Sequence, residues 1–230
     1  MTTQRTSPKR IVVLISGKGT NLQALMDATH QGQINGAVVA VISNRPRAFG
    51  LVRAKDAQIP AEVVSFAPFK THPDGRSAYD EALAMRVQSY APDLIILAGF
   101  MRILTTDFVR ALRGTMLNVH PSLLPKYTGL KTHQRALDAG ETTHGVSIHF
   151  VTEELDGGPV IAQAEVSISP DDPPESLAEK VQEKEHVLYP IVVRWFCEGR
   201  IQLGTDYVVF DGQPLNRPVV LPDENSAASA

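Results

Sequence analysis

The sequence predicts an α/β protein: a Rossmann-like, mostly parallel sheet flanked by helices, with an antiparallel extension in the C-terminal half. Three observations point there. Short β-branched runs alternate with amphipathic helical patterns up to about residue 120. The glycine-bearing stretch Ser16-Gly17-Lys18-Gly19-Thr20-Asn21 joins the first run to the first helical pattern. Beyond residue 120 longer runs follow, joined by Asp156-Gly157-Gly158-Pro159, a tight-turn composition.

Taken in order, residues 11–15, 37–42, 61–65, 94–98 and 115–119 read as strands. Residues 20–30, 46–57 and 76–90 read as the intervening helices, the last carrying apolar Tyr79, Leu83, Met85, Val87 and Tyr90. Residues 121–140 are rich in Pro, Gly, Thr and Lys, with a short helix near 134–138. Strands at 145–151 and 160–168 precede a long helix at 174–197, where Leu177, Val181, Leu188, Val192 and Trp195 recur at helical spacing. Pro174 suits a first helical turn, whereas Pro190 lies inside the pattern and predicts a kink or break. The expected organisation is one domain over 10–215, with a phosphate-binding half (10–105) and a catalytic, folate-binding half (106–215). Residues 1–9 and 222–230 are expected to be frayed tails.

Composition narrows the function classes. A chain of 230 residues with 43% apolar and 20% charged residues suits one soluble globular core. A formal charge of −3 offers no basic footprint for nucleic acid. Cys197 is the only cysteine, which excludes disulfides within the chain and cysteine-based zinc sites. It reads as a buried packing thiol and fits a reducing cytoplasm. The apolar run at 11–15 is too short for a signal peptide, and no segment approaches the roughly 20 apolar residues of a membrane helix.

Two stretches carry candidate chemistry. The loop 16–21 can present backbone N–H groups to an anion at a helix N-terminus. It is not a dinucleotide fingerprint, because Leu22 stands where the third glycine belongs, and Lys18-Gly19 does not fit a Walker A loop. Taken alone it reads equally as a turn capped by Thr20 or Asn21. More telling is Leu117-Asn118-Val119-His120-Pro121, where Asn118 and His120 share one face of a strand that Pro121 ends. A carboxamide can donate to a developing oxyanion and an imidazole can shuttle a proton. Asp156 is the leading carboxylate to orient the imidazole and favour its charged form, although turn chemistry explains it as readily. His30, His72, His133, His144 and His186 show no metal-ligand spacing, and no metal is expected.

These residues spell a resemblance. Asn118-Val119-His120-Pro121-Ser122-Leu123-Leu124-Pro125 together with Glu154-Leu155-Asp156-Gly157-Gly158 resembles the Asn-His-Asp signature of the folate-dependent formyltransferases. Within that family it is most similar to the branch that formylates glycinamide ribonucleotide. That similarity runs from Ile11 to about Phe210 through Ile15-Ser16-Gly17, Ala98-Gly99-Phe100-Met101-Arg102-Ile103-Leu104, Lys126-Tyr127-Thr128-Gly129-Leu130 and Gly145-Val146-Ser147-Ile148-His149-Phe150. The resemblance implies Asn118, His120 and Asp156 as the catalytic trio, with His120 as proton donor, and 10-formyltetrahydrofolate as co-substrate. It implies that Gly19, Thr20 and Asn21, with Gln182, Glu183, Lys184 and Glu185, bind the ribonucleotide. Arg76, Met101, Arg102, Ile103, Leu104, Asn118 and Thr152, Glu153, Glu154, Leu155, Asp156 would line the folate pocket. The chain departs from the family pattern at Lys18 and Thr20, often Asn and Ser, and at Thr128, commonly Pro. The expected partners are small molecules only, with neither nucleic acid nor membrane, and the expected state is a monomer or weak homodimer. Residues 121–140 are expected to form a mobile lid. With about ten residues before the first strand and few after Cys197, the added domains of methionyl-tRNA formyltransferases and formyltetrahydrofolate hydrolases are not expected.

Overall fold

The computed structural model describes residues 7–221. Most of the two expected tails lies outside them, and Lys9 already belongs to the first strand. Eight strands form one sheet in the order β11-β7-β6-β5-β4-β1-β2-β3. Its core is β1 (Lys9–Ile15), β2 (Gly36–Ser43), β3 (Ala61–Val63), β4 (Leu94–Leu97) and β5 (Met116–His120), all parallel. Parallel strands are covered on both faces, which is why Ile11 to Ile15 and Leu94 to Leu97 are unbroken apolar runs, buried throughout. β6 (Thr143–Phe150) and β7 (Val160–Ser167) add the antiparallel extension, and β11 (Val219–Leu221) pairs parallel with β7.

The faces of the sheet hold two separate cores. On one, α1 (Thr20–His30), α2 (Gly50–Asp56) and α6 (Pro174–Cys197) bury Leu22, Leu25, Leu51, Leu177, Val181 and Leu188 against Ile11, Val13, Leu117 and Val119. On the other, α3 (Gly75–Gln88) and α4 (Thr106–Ala111) bury Tyr79, Leu83, Val87 and Phe108 against Val12, Leu14, Ile95 and Met116. Met85 of α3 falls off that stripe and is exposed. Because β5 alternates, Met116, Asn118 and His120 share the second face: the apolar layer gives way to polar side chains at the strand's carboxyl end.

Several expectations needed correction. α2 begins at Gly50 rather than residue 46, since residues 45–48 close a turn through Ala48 N–H to the Arg45 carbonyl (3.2 Å). α6 runs unbroken through Pro190. The proline penalty of about 3 kcal/mol is offset because Leu188, Tyr189, Val192 and Val193 are fully buried on both sides of it. The Tyr189 hydroxyl also faces the carbonyls of Leu117 (2.9 Å) and Leu97 (3.2 Å), fastening α6 to two strands. The short helix α5 spans Thr132–Asp138. Sequence periodicity missed α4 and a small antiparallel sheet of β8 (Ile201–Leu203), β9 (Val208–Phe210) and β10 (Gln213–Pro214), all too short for a period to register. No helix among the described residues is long and apolar enough to cross a membrane.

Candidate active site

The carboxyl ends of β1, β2, β4 and β5 share one edge of the sheet. Ser16 ties three of them: its hydroxyl donates to Asn44 Oδ1 (2.6 Å) and accepts from Met101 N–H (2.8 Å). The loop after β1 then turns at Gly19, whose φ of +72° favours glycine, and an added Cβ would lie 2.6 Å from Gly50 Cα. Gly50 N–H to the Gly17 carbonyl (3.1 Å) and Arg53 Nε to the Lys18 carbonyl (3.0 Å) brace this loop from α2. Gly19 occupies the N-cap position of α1 and no side chain caps the helix, so neither Thr20 nor Asn21 is the cap. The first-turn N–H donors therefore remain for a ligand. Asn21 instead reaches across to α6, donating from Nδ2 to Glu185 Oε2 at 2.6 Å. Burial pushes the Glu185 carboxyl above its ordinary value, against the lowering effect of that bond.

A cavity of about 290 Å³ opens on this loop, lined by Ser16 to Asn21 and by Gln182 and Glu185 of α6. Gln182 and Glu185 are three apart and so share a helix face; Glu183 and Lys184 do not line the cavity. Arg45 does, and sequence reasoning missed it. Among the described residues, neither Lys18 nor Arg45 has an ion-pair partner, so two cations stand free at the cavity. Val119 and Pro121, either side of His120, line the same cavity.

The polar trio meets beside it. His120 and Asp156 are both buried, with Nδ1 3.4 Å from Oδ2. Asp156 takes up a left-handed φ of +54° and accepts a hydrogen bond from Gly129 N–H (2.8 Å). A non-glycine residue in that region costs about 1–3 kcal/mol, a strain that clusters at functional sites. Gly158 makes the turn possible, since a Cβ there would lie 1.9 Å from the Phe150 carbonyl oxygen. His120 Nε2 lies 2.9 Å from the Tyr127 carbonyl; a carbonyl only accepts, so this nitrogen carries the proton. The loop supplying it is held by Arg135 to the Thr128 carbonyl (2.6 Å) and by Lys126 and the Tyr127 hydroxyl on Glu141 (each 2.8 Å).

A second cavity of about 300 Å³ lies against the segment that carries Asp156, lined by Thr152, Glu153, Glu154 and Gly157 with Val109, Arg110 and Arg113. Arg110 pairs with Glu153 (2.6 Å), joining α4 to the 152–156 segment. Met101, Ile103 and Leu155 are exposed apolar side chains, and Met101 lines the first cavity rather than the second. Arg76 donates to the carbonyls of Ile103 (3.1 Å) and Leu104 (3.3 Å), fixing the 101–104 wall. The Arg102 guanidinium turns inward instead, stacking over Phe66 (4.1 Å) and Tyr79 (4.3 Å).

Sequence reasoning also passed over His149. It stands directly opposite Asn118 in the β5–β6 register, and its Nε2 is 3.0 Å from Asn118 Nδ2 and 3.9 Å from Asp156 Oδ1. Burial pushes its imidazole down to about 4, with a bond to the Phe150 carbonyl and Asp156 pulling the other way. His144 is likewise held at about 4 by burial and by His133 beside it. The one signal in the sequence was alternation: Ser147 and His149 share the face of β6 opposite apolar Val146, Ile148 and Phe150. Among the described residues no His, Cys, Asp and Glu cluster suits a metal ion.

An α/β scaffold with a buried Asn-His-Asp group at the carboxyl edge of its sheet, beside a cavity that carries Lys18 and Arg45, has the parts of a group-transfer enzyme. The chain belongs to the formyl transferase family, which it matches over residues 9–193. It is 50% identical to the phosphoribosylglycinamide formyltransferase of Escherichia coli (strain K12) over 205 residues, 89% of this chain and 95% of that protein. A trifunctional purine biosynthetic protein of Drosophila melanogaster is 47% identical over 83% of this chain, which spans 14% of that protein. A solved phosphoribosylglycinamide formyltransferase from Coxiella burnetii superposes with a TM-score of 0.88 at 49% identity, over 94% of this chain and 100% of that one.

Proposed function

We propose that this chain transfers the formyl group of 10-formyltetrahydrofolate to the amine of 5′-phosphoribosylglycinamide, a step of purine biosynthesis. The observation that carries the reading is the buried His120–Asp156 pair, with Asn118 on the same strand face, next to chain neighbours that line the two cavities. The first cavity suits a phosphorylated sugar: free N–H donors at Gly19 to Asn21, the cations Lys18 and Arg45, and the polar Gln182 and Glu185. The second, lined by Thr152 to Glu154 and Gly157, suits the folate, and Arg76 steadies the 101–104 segment assigned to the same substrate. The two halves of the chain then act as one unit, since Gln182 and Glu185 complete the ribonucleotide site of the first half and the 101–104 segment joins the folate site of the second. On this reading the chain is a cytoplasmic enzyme, a monomer or weak homodimer, acting on small molecules.

In this mechanism the amine attacks the formyl carbon and a C–N bond forms, leaving a tetrahedral oxyanion. Asn118 and His120 donate to that oxygen; one such donor is worth about 3 kcal/mol. The bond from the carbon to folate N10 then breaks, N10 gains a proton from His120, and the attacking nitrogen loses one through water. Asp156 orients His120 and the water. The Nε2 proton is donated to the Tyr127 carbonyl, so its delivery requires that bond to be exchanged for one to substrate or water. This supports residues 121–140 as a lid, for which fast hydrogen exchange is expected in the unliganded protein; uniformly slow exchange refutes it. The deciding assay follows 10-formyltetrahydrofolate spectroscopically with and without the ribonucleotide. Consumption only with the ribonucleotide supports transfer. Consumption without it marks a hydrolase, and none in either arm overturns the proposal.

A further inference from the structure

We propose that His149 is a positioning residue for Asn118, its neutral imidazole fixing which end of the Asn118 carboxamide faces the cleft. The inference rests on the reading above, in which Asn118 serves the oxyanion. It starts from the other ring nitrogen. His149 Nδ1 lies 2.8 Å from the Phe150 carbonyl oxygen. A bare nitrogen there would set two lone pairs against each other, so Nδ1 carries the hydrogen. In a neutral ring Nε2 is then an unprotonated acceptor. It lies 3.0 Å from the Asn118 side chain, and only the NH₂ end of a carboxamide can meet a bare lone pair. One N–H of Asn118 is consumed by His149 and the second is left for an oxyanion at the half-buried strand end.

The competing arrangement is a charged His149, which would donate to Asp156 Oδ1 at 3.9 Å and turn the Asn118 oxygen toward itself. The oxygen and nitrogen ends of Asn118 would then exchange places. Burial decides between them: the His149 side chain is 3% exposed, which disfavours a charged ring. His120 and Asp156 are the titratable groups facing it. Direct cross-strand pairing of Asn118 with His149 makes the contact a property of the sheet register rather than of a flexible loop.

The first test needs no substitution. In ¹⁵N NMR of the labelled protein at pH 7, His149 is expected as the Nδ1–H form with an unprotonated Nε2. A ring protonated at Nε2, or at both nitrogens, overturns the assignment whether or not the protein transfers formyl groups. The second is kinetic. His149→Phe is expected to lower kcat about 10- to 100-fold, below the full loss of an oxyanion donor, with KM for both substrates within about 2-fold. His149→Gln, whose amide oxygen can accept the same N–H, should recover most of that loss. In an Asn118→Ala background, His149→Phe should have little further effect. Equal losses in the Phe and Gln variants, or a full additional loss in that background, refute the role. If the transfer assay fails in the unaltered protein, the functional reading falls and the NMR form alone decides His149.

Discussion

Acidification should destabilise this protein well above the carboxylate range, through His144 and His149. Both rings are buried in the fold and held at about 4, against an ordinary value of 6.5 in the unfolded chain. The folded value is depressed for a base, so the unfolded chain takes up protons first as the pH falls. Stability is therefore full above about pH 6.5 and lost progressively down to about 4. A pH of 5 lies about 1.5 units below the ordinary value of the free ring, and the buried rings have barely begun to titrate. At about 1.4 kcal/mol per unit, each contributes roughly 2 kcal/mol of lost stability, about 4 together. For a chain of this size that corresponds to a Tm lower by on the order of 10 °C than at pH 7.5. Glu185 opposes the trend, since its raised carboxyl binds a proton sooner in the folded state. His133 and His186, both lowered by burial, add to it. Differential scanning calorimetry between pH 7.5 and 5 checks the prediction, and His149→Gln should remove about a third to a half of the slope whatever its own stability. A Tm that is flat or rises toward pH 5, or an unchanged slope in that variant, refutes the assignment of buried neutral rings.

Three further outcomes follow from the geometry. His120→Ala and Asp156→Asn should each lower kcat by about 10²- to 10⁴-fold with modest change in substrate binding; near-normal turnover in either sinks its assigned role. Arg45→Ala should raise KM for the ribonucleotide about 10-fold and leave kcat almost unchanged, since it removes binding common to ground and transition states; an unchanged KM removes Arg45 from the phosphate site. Tyr189→Phe deletes the hydroxyl that faces the carbonyls of Leu97 and Leu117 in a fully buried place. It should cost about 1–3 kcal/mol in urea unfolding, and a loss below about 0.5 kcal/mol would mean that contact does not hold α6 to the sheet.

What the sequence determined by itself was local and periodic. The unbroken apolar runs marked the buried parallel strands, and the spacing of Leu177, Val181, Leu188, Val192 and Trp195 gave α6 its limits at 174–197. Those signals survive in one dimension because each element must bury a face of its own period. Asn118 and His120 were legible for the same reason, since two residues apart on a strand is a spatial statement. Pro190 misled because a local helix penalty was outweighed by packing that only the assembled layers supply.

Tertiary structure alone decided who meets whom. Asn21 and Glu185 are 164 residues apart in the chain and 2.6 Å apart in the fold. His149 had no role until the antiparallel register of β5 and β6 set it opposite Asn118. Arg45, in an ordinary turn after β2, reached the cavity only because β2 lies beside β1 and its carboxyl end shares the edge. Asp156 remained balanced between turn and site until its left-handed backbone brought the carboxylate to His120 and to Gly129 N–H. Periodicity tells a residue which way to face along its own element; register, crossover and layer packing choose its neighbours, and these are non-local energies that no single window of sequence contains.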